Sequence, residues 1–266
     1  MSSVVDSLCT VAFMALPLRF TERRHGYVLD QIPPAEHHRS LILVAIMESS
    51  ELINRFPRLF HMAHANAWPG ILRDGLLSTS ALLDIFDVEG ARRRAIEEHL
   101  RSSYEVITHP DHGSAHIRDN KPLNRGLLEN ALEDLSVEEY LRLLNGKVFF
   151  WLTEKRLSTF LDARAFRNDP HLVITVDTER LVDTYEDRIT LSPINSGATV
   201  YRAVPRGTTT FQTIADYDFE VRRRSRGPAE AIAELAVEYA VPDVVEITLL
   251  VEIRRSAGDR DLVFAR

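Results

Sequence analysis

The patterning of the chain changes at Gly146, and that change limits the folds available to it. From Ala81 to about Leu144 the apolar residues recur mostly at helical spacing, apart from a polar middle at 108–122 that predicts a loop. Short runs rich in β-branched and aromatic residues follow, and each predicts a strand: KVFFWLT (147–153), HLVITVD (171–177), ATVYRAV (198–204), TTTFQTI (208–214), VEYAVP (237–242), VEITLLVEI (245–253) and DLVFA (261–265). Because helical and strand segments do not alternate regularly, the sequence predicts an α+β fold with a mostly antiparallel sheet.

The first 57 residues differ from the rest, and we expect them to form an N-terminal helical extension (1–57) beside a main domain (58–266). Pro33-Pro34 marks a break, and the apolar spacing of LILVAIMESSELINRF (41–56) predicts a buried helix. The apolar run from Leu8 to Leu18 has no basic residues ahead of it and no small-residue cleavage pattern after it, so it does not favour secretion.

Composition narrows the class of protein. With 266 residues, 45% of them hydrophobic, the chain is able to bury a full core. A formal net charge of −7 argues against holding long nucleic acid through overall charge. The single cysteine, Cys9, excludes an internal disulfide and a cysteine-rich zinc site. Together with the lack of an apolar window of roughly 20 residues, this predicts a cytoplasmic protein that does not span a membrane.

Several common catalytic motifs are missing from the sequence. It contains no GxGxxG after a strand, no phosphate-binding loop, no HExxH and no GxSxG, which removes the usual support for several enzyme classes. His109, His112 and His116 have spacings that would suit zinc. Since no helix or strand is predicted to hold them, we interpret them as part of a solvated loop and predict no metal.

Two distant segments carry the residues best suited to chemistry. LFHMAHANAWPGIL (59–72) places His61 and His64 at the end of a strand-like run, ahead of a short helix that leads to Gly75. Much later, AELAVEYAVPDVVEITLLVEI (233–253) places Glu234 before a β-branched run that Pro242 interrupts. We interpret the two segments as halves of one cleft.

These segments resemble the DarT-type NAD-dependent DNA ADP-ribosyltransferases and their uncharacterised relatives, which share the diphtheria-toxin-like ADP-ribosyltransferase fold. The opening motif of that family runs aromatic-His-x-Thr-His-x-x-Asn-Leu-x-x-Ile-Leu and is followed by Gly-Leu. The matching residues here are Phe60, His61, His64, Ile71, Leu72, Gly75 and Leu76. KVFFWLTEKRLSTFLDAR (147–164), which contains Phe150, resembles the second segment of the family. Ala233-Glu234 with Pro242 is similar to the segment that carries its catalytic glutamate.

The chain departs from the family pattern in the first motif. Ala63 stands where the family has threonine, and Ala67-Trp68 stands where it has Asn-Leu. The basic, nucleotide-reading insertion of the family after the first helix has no clear counterpart in this sequence. DNA is therefore not carried over as the acceptor.

The resemblance implies a split, mostly antiparallel sheet and an enzyme that uses NAD as co-substrate. The enzyme would transfer ADP-ribose to a macromolecular acceptor, either nucleic acid or protein. By analogy, such an activity suits a cytoplasmic toxin or phage-defence effector with a neutralising partner protein. Two alternatives stay open: NAD glycohydrolysis, with water as the acceptor, and a catalytically silent nucleotide- or nucleic-acid-binding module.

Glu234 is the candidate catalytic carboxylate that the resemblance implies. Breaking the bond between ribose and nicotinamide creates positive charge on the sugar, which a nearby carboxylate stabilises. The same carboxylate is able to accept a proton from the incoming nucleophile. The alternative is a surface carboxylate on a helix, since PAEAIAEL (228–235) has helical spacing; Glu230 and Glu238 are the substitutes.

The resemblance also assigns the NAD-binding residues. His61 would bond the adenosine-side ribose, with a structural core histidine as the alternative. His64, Gly75 and Phe150 would line the same site, although His64 also suits packing or capping of the following turn. Arg118 would bind the pyrophosphate or steady Glu234, because a guanidinium stays charged and bonds phosphate in pairs. Lys121 and Arg125 are the alternatives for that role.

Two further polar segments have both an ordinary and a functional interpretation. Asn195-Ser196-Gly197 is typical of a hairpin turn, but such a turn also presents backbone N–H groups to a phosphate or an acceptor. The run of arginines at 222–226 is typical of a solvated face, and its position just before Glu234 would also suit an acceptor with phosphates.

Overall fold

The structure is a computed structural model, and it describes residues 47–164, 166–199, 204–255 and 258–266. The predicted N-terminal extension falls mostly outside these residues, so its boundary at residue 57 stays a prediction. The described chain combines helices with antiparallel strands, which confirms the α+β fold class.

The secondary structure follows the chain as short elements. The helices are α1 (Ser49–Arg55), α2 (Trp68–Asp74), α3 (Thr79–Ile85), α4 (Gly90–Glu97), α5 (Arg125–Glu129), α6 (Val137–Asn145), α7 (Glu154–Leu161), α8 (Thr178–Tyr185), α9 (Phe219–Arg226) and α10 (Val244–Ile247). The strands are β1 (Arg58–His64), β2 (Leu76–Leu77), β3 (Glu105–His109), β4 (Gly113–Ile117), β5 (Lys147–Phe150), β6 (His171–Asp177), β7 (Ile189–Ser192), β8 (Gln212–Thr213), β9 (Glu234–Glu238), β10 (Ala240–Val241), β11 (Thr248–Arg254) and β12 (Arg260–Ala265).

Two four-stranded sheets form the framework. One has the strand order β1-β6-β11-β12 and the other β5-β9-β7-β8, and every strand pair in them is antiparallel. Phe60 on β1 and Trp151 just after β5 exchange a pair of backbone hydrogen bonds, of 3.0 and 2.8 Å, that join the two sheets. Residues near this join therefore come from distant parts of the sequence.

A single large hydrophobic core serves both sheets. Strand β6 is central to the first sheet and is buried along all but its last residue, which agrees with its unbroken apolar sequence. The core includes Ile174 and Val251 from the first sheet and Leu235 from the second. Leu52 on α1 and Phe56 belong to it as well, so the chain just before residue 57 packs against the main body.

Three predicted elements differ from the structure. The polar middle at 108–122 is not simply a loop, because β3 and β4 form an antiparallel hairpin there whose last pair is His109 with Gly113. Gly113 has a φ of +68°, a conformation that glycine adopts without strain, and this lets the chain turn within four residues. The start of the predicted strand 245–253 is instead the short helix α10, and strand structure begins at Thr248.

The third difference concerns 198–214. Within 208–214, residues Thr208–Thr210 form a 3₁₀ turn and only Gln212–Thr213 is a strand. The described ends of the predicted strand 198–204 are not strand either, and its centre lies outside the described residues. The backbone N–H of Gly207 donates to the hydroxyl of Thr210 at 2.9 Å, and this local bond closes a turn where the strand was predicted.

Within the parts of the chain that the structure describes, no helix has the length and apolar character that crossing a membrane requires.

Candidate functional site

A cavity of about 340 Å³ opens at the join between the two sheets. Its walls include the end of β1, the α2–β2 turn, strand β4, strand β5 and the turn at 195–197. The six residues that the sequence singled out all line it: His61, His64, Gly75, Arg118, Phe150 and Glu234. The volume of the cavity and its mixed polar and apolar walls fit a small-molecule site. The individual roles of the six residues stay predictions.

Glu234 lies at the start of β9 and pairs with Ser192 of β7, so the helical alternative for residues 228–235 is wrong. Its side chain is held from one side, because the backbone N–H and the hydroxyl of Ser196 both donate to Oε2, at 3.0 and 2.6 Å. The residue is only 6% exposed. The turn at 195–197 thus directs its donors at a carboxylate of the protein itself.

Burial raises the pKa of the Glu234 carboxyl to about 7, against the opposing effect of the two Ser196 hydrogen bonds and of the charges on Arg156 and Arg206. A carboxyl that changes charge near neutral pH is suited to proton transfer. The two substitute glutamates are engaged elsewhere. Glu230 pairs with Arg156 and Glu238 with Lys147, and neither lines the cavity.

His61 is half-buried on β1, and its ring crosses the join between the sheets. Nδ1 lies 2.8 Å from the carbonyl oxygen of Phe149 on β5. Because a carbonyl only accepts, Nδ1 carries the hydrogen, and in the neutral ring Nε2 is left as an acceptor. Burial lowers the pKa of His61 to about 4, the Phe149 carbonyl opposes this, and the charge on Arg118 adds to it. At neutral pH the ring therefore offers an acceptor for a hydroxyl.

His64 lies at the end of β1 and packs against the β-hairpin. Its ring stacks on His116 of β4, with ring centroids 3.8 Å apart, and meets the edge of Tyr104. Its Nδ1 accepts from the backbone N–H of Asn66 at 3.2 Å. Burial, with the neighbouring His116, lowers the pKa of His64. His64 thus packs against the hairpin and caps the following turn, and it also lines the cavity.

Arg118 follows β4 and is a buried cation with spare donors. Its guanidinium carbon lies 4.7 and 4.3 Å from the ring centroids of Phe160 and Phe166. Among the described residues, its Nε and Nη2 are buried without a hydrogen-bond partner. Burial lowers the pKa of this guanidinium. A buried charge with unused donors beside a cavity favours an anionic ligand.

The two alternatives to Arg118 lie in different surroundings. Lys121 also lines the cavity, whereas Arg125 pairs with Glu138 on the surface at 2.7 Å and does not line it.

Gly75 and Phe150 shape the cavity wall. Gly75 ends α2 with a φ of +81°, and a Cβ built on it would lie 2.5 Å from Cα of Pro242. No larger residue fits there without moving the backbone of the β10 segment. Phe150 is 1% exposed and its ring lies 5.7 Å from that of His61, edge to face. The aromatic ring therefore helps to hold the imidazole in place.

Sequence reasoning missed the part that Ser196 plays. The Asn-Ser-Gly triplet is itself a signal of a polar turn, but nothing in it indicates that the turn would fold against Glu234. The arginines that follow make local contacts. Arg222 stacks on Tyr217, Arg223 pairs with Glu220, and Arg226 bonds the carbonyl of Pro193.

The histidines of the hairpin are paired with carboxylates or with each other. His112 bonds Asp74 at 2.9 Å, and His109 lies 3.4 Å from Asp87. Over the described ranges, no group of three or more His, Cys, Asp or Glu side chains is placed to hold a metal ion.

Comparison with known proteins gives a family but no characterised function. A solved structure of DarTG from Thermosipho africanus in complex with ADP-ribose is similar at 12% sequence identity and a TM-score of 0.36. That similarity covers 74% of this chain and 43% of the DarTG chain, so the matched part is less than half of that protein. No curated protein matches the chain. The model of the family of unknown function DUF7002 matches residues 57–248, most of the chain, and the chain therefore belongs to that family.

Proposed function

We propose that this protein binds NAD at the cavity and transfers its ADP-ribose moiety to a macromolecular acceptor. The observation that carries the proposal is that His61, Arg118 and Glu234, remote in sequence, line one cavity. Each of the three offers what a different part of NAD requires. His61 and Glu234 are also among the residues that carry the resemblance to DarT-type enzymes.

In the proposed complex, His61 and Arg118 bind the ADP half of NAD. The free Nε2 of the neutral imidazole accepts a hydrogen bond from a ribose hydroxyl. The Nε and Nη2 donors of Arg118, unpartnered among the described residues, bond the diphosphate oxygens. Binding of an anion also compensates the cost of burying the guanidinium, which is unfavourable in its absence.

Glu234 then acts on the other half of the dinucleotide. The bond from C1′ of the ribose to the nicotinamide nitrogen breaks, and the bonding electrons leave with neutral nicotinamide. The Glu234 carboxylate stabilises the positive sugar, and it accepts the proton that the attacking hydroxyl or amine loses as it bonds to C1′. Ser196 occupies Oε2 through two hydrogen bonds, while Oε1 makes none within the described residues. That oxygen is free for the substrate.

The test is nicotinamide release from NAD by the purified chain, with separate pools of DNA, RNA and cell proteins present. We expect Glu234→Gln to lower the rate by at least about 100-fold, since general-base and electrostatic effects are each of that order. Glu238→Gln is the matched control, because Glu238 lies on the same strand, outside the cavity, and should keep the wild-type rate.

The products separate the possible acceptors. Labelled ADP-ribose on one pool identifies the acceptor class, and free ADP-ribose with no labelled pool identifies water, which makes the protein a NAD glycohydrolase. Tight NAD binding without nicotinamide release would show a silent binding module. An equal rate in wild type and Glu234→Gln would refute the assignment of Glu234.

A further inference from the structure

The Ser196 turn that holds Glu234 is itself held by a buried arginine, Arg206. The Arg206 side chain is 2% exposed, and its Nη1 donates to the carbonyl oxygens of Ser196 and Ala198, at 3.0 and 3.1 Å. Its Nε donates to the carbonyl oxygen of Val204 at 3.1 Å. Arg206 does not line the cavity and cannot contact a ligand there.

The backbone of Arg206 is fixed to a different part of the fold. Its N–H donates to the carbonyl of Ala131 at 2.9 Å, and its carbonyl accepts from the N–H of Glu133 at 3.0 Å. These bonds tie Arg206 to the segment between α5 and α6. The hydroxyl of Tyr140 on α6 donates to the same Ser196 carbonyl at 3.1 Å. The turn is therefore clamped onto the helical part of the molecule.

Arg206 is buried without a carboxylate partner. Within the described ranges it forms no ion pair, and the bonds it makes are to backbone carbonyls. Burying an unpaired guanidinium is unfavourable, and these hydrogen bonds offset part of that cost. The positive charge of Arg206 also acts on the carboxyl of Glu234. The two residues are linked through Ser196, which bonds both of them.

We propose that Arg206 is a positioning residue for Glu234: it clamps the 195–198 turn so that both Ser196 donors converge on one carboxylate oxygen, and its charge favours the ionised carboxylate. The inference rests on the proposed function for its catalytic meaning, but the positioning itself does not depend on NAD. Three further groups face Glu234 and contribute to its titration: Arg156 on α7, Tyr140 on α6 and Ser196 itself.

The test is the titration midpoint of the Glu234 carboxyl, followed by carbon-13 NMR in the full chain without NAD and assigned by its loss in Glu234→Gln. We expect Arg206→Met to raise the midpoint by about one pH unit, because it removes a nearby positive charge and loosens two hydrogen bonds to the ionised form. Arg206→Lys keeps the charge without the planar fork, and its midpoint should rise by less.

Arg188→Met is the matched control. Arg188 is half-buried and also bonds backbone carbonyls, those of Glu238 and Ala240, but it lies outside the cavity and is not among the groups that act on Glu234. Its substitution should leave the midpoint unchanged. Circular dichroism establishes that each variant is folded. If Arg206→Met does not fold, Arg206→Lys decides the question.

Wild-type midpoints in the folded Arg206 variants would overturn the proposal. So would an equal rise in Arg188→Met, which would indicate a general loosening of the structure. Nicotinamide release in the same proteins separates this inference from the proposed function. A wild-type chain that releases none, with midpoints that shift as expected, would refute the function and leave the positioning intact. An active wild-type chain whose Arg206 variants have unshifted midpoints would support the function and refute the positioning role of Arg206.

Discussion

Burial shifts the pKa values of Glu234 and His61 in opposite directions. Burial keeps Glu234 protonated to a higher pH and keeps His61 neutral to a lower one than in the unfolded chain. Both residues therefore favour their uncharged forms. A substrate that brings charge would change that balance.

The pH dependence of stability tests the buried state of Glu234. Between the ordinary glutamate pKa of 4.5 and the folded-state pKa of about 7, the folded carboxyl holds its proton while the unfolded one has lost it, so folding stability falls as pH rises. Glu234→Gln cannot lose a proton. We expect it to match wild type near pH 4 and to be more stable by about 3 kcal/mol above pH 8. Urea denaturation at both pH values measures this.

The contribution of His61 is of opposite sign, because the unfolded imidazole gains a proton below pH 6.5 that the folded one resists until about 4. Since wild type and Glu234→Gln share His61, this term cancels in their difference. A stability difference that stays constant from pH 4 to pH 8 would contradict the buried, protonated state of Glu234.

The proposed ribose contact of His61 predicts a loss of NAD affinity. We expect His61→Ala to raise the Kd for NAD at least about tenfold, because a ribose hydroxyl then loses its acceptor inside the cavity. His99→Ala is the control. His99 also bonds a backbone carbonyl through Nδ1, that of Arg94 at 3.2 Å, but it does not line the cavity. Calorimetry measures both, and an unchanged Kd in His61→Ala would refute the contact.

At the level of elements, the turn from α2 to β2 depends on close approach of two backbone segments. Gly75 ends α2, and β2 then pairs with β10, whose neighbour Pro242 leaves no room for a Cβ at residue 75. The first motif and the Glu234 segment are therefore in direct backbone contact. The turn brings two distant parts of the cavity wall together.

Substitution of Gly75 tests this contact. Gly75→Ala combines a φ of +81° with a Cβ 2.5 Å from Cα of Pro242, so we expect a loss of at least about 2 kcal/mol in unfolding free energy. Gly113→Ala is the matched control. Gly113 has a φ of +68° with open space around it, and the expected loss is about 1 kcal/mol. Equal losses in the two variants would show that the Pro242 contact relaxes at no cost.

The sequence predicted those elements whose pattern is local. HLVITVD is strand β6 over the same residues, and the helix that ends at Gly75 is α2, because apolar period and glycine act within a few residues. The hairpin at 105–117 was missed, since most residues of its strands are exposed or half-buried and carry a weak apolar signal. Likewise VEI at 245–247 has strand-forming residues, yet it forms the last turn of α10 against the core.

The candidate site was predictable only in part, for the same reason. His61 and Glu234 were found through a resemblance of short motifs, which does not require knowledge of contacts. Ser196 bonds Glu234 from a segment far away in sequence, and Arg206 in turn bonds the carbonyl of Ser196. No local pattern marks such bonds, so they are visible only once the chain is folded.

At the level of the whole molecule, ligand binding should be measurable as stability. We expect ADP-ribose, at a concentration 100 times its Kd for wild type, to stabilise the wild-type chain by about 2.7 kcal/mol, which is what mass action gives for one site at that concentration. Arg118→Met should abolish most of this shift, because the diphosphate then lacks its buried cation. Thermal unfolding with and without ligand measures it.

Two controls sharpen that experiment. Arg125→Met removes an exposed arginine that pairs with Glu138 outside the cavity, and it should keep the full shift. Adenosine lacks the diphosphate and should stabilise wild type and Arg118→Met alike. A shift with ADP-ribose that is the same in wild type and Arg118→Met would count against Arg118 as the phosphate contact.

The join at Phe60 and Trp151 has a mechanical consequence for whatever occupies the cavity. His61 belongs to one sheet and bonds the other through Phe149, while Glu234 belongs to that other sheet. A ligand that contacts both side chains would bridge the two sheets beside the two backbone hydrogen bonds between Phe60 and Trp151. Ligand binding would therefore restrict movement of one sheet relative to the other.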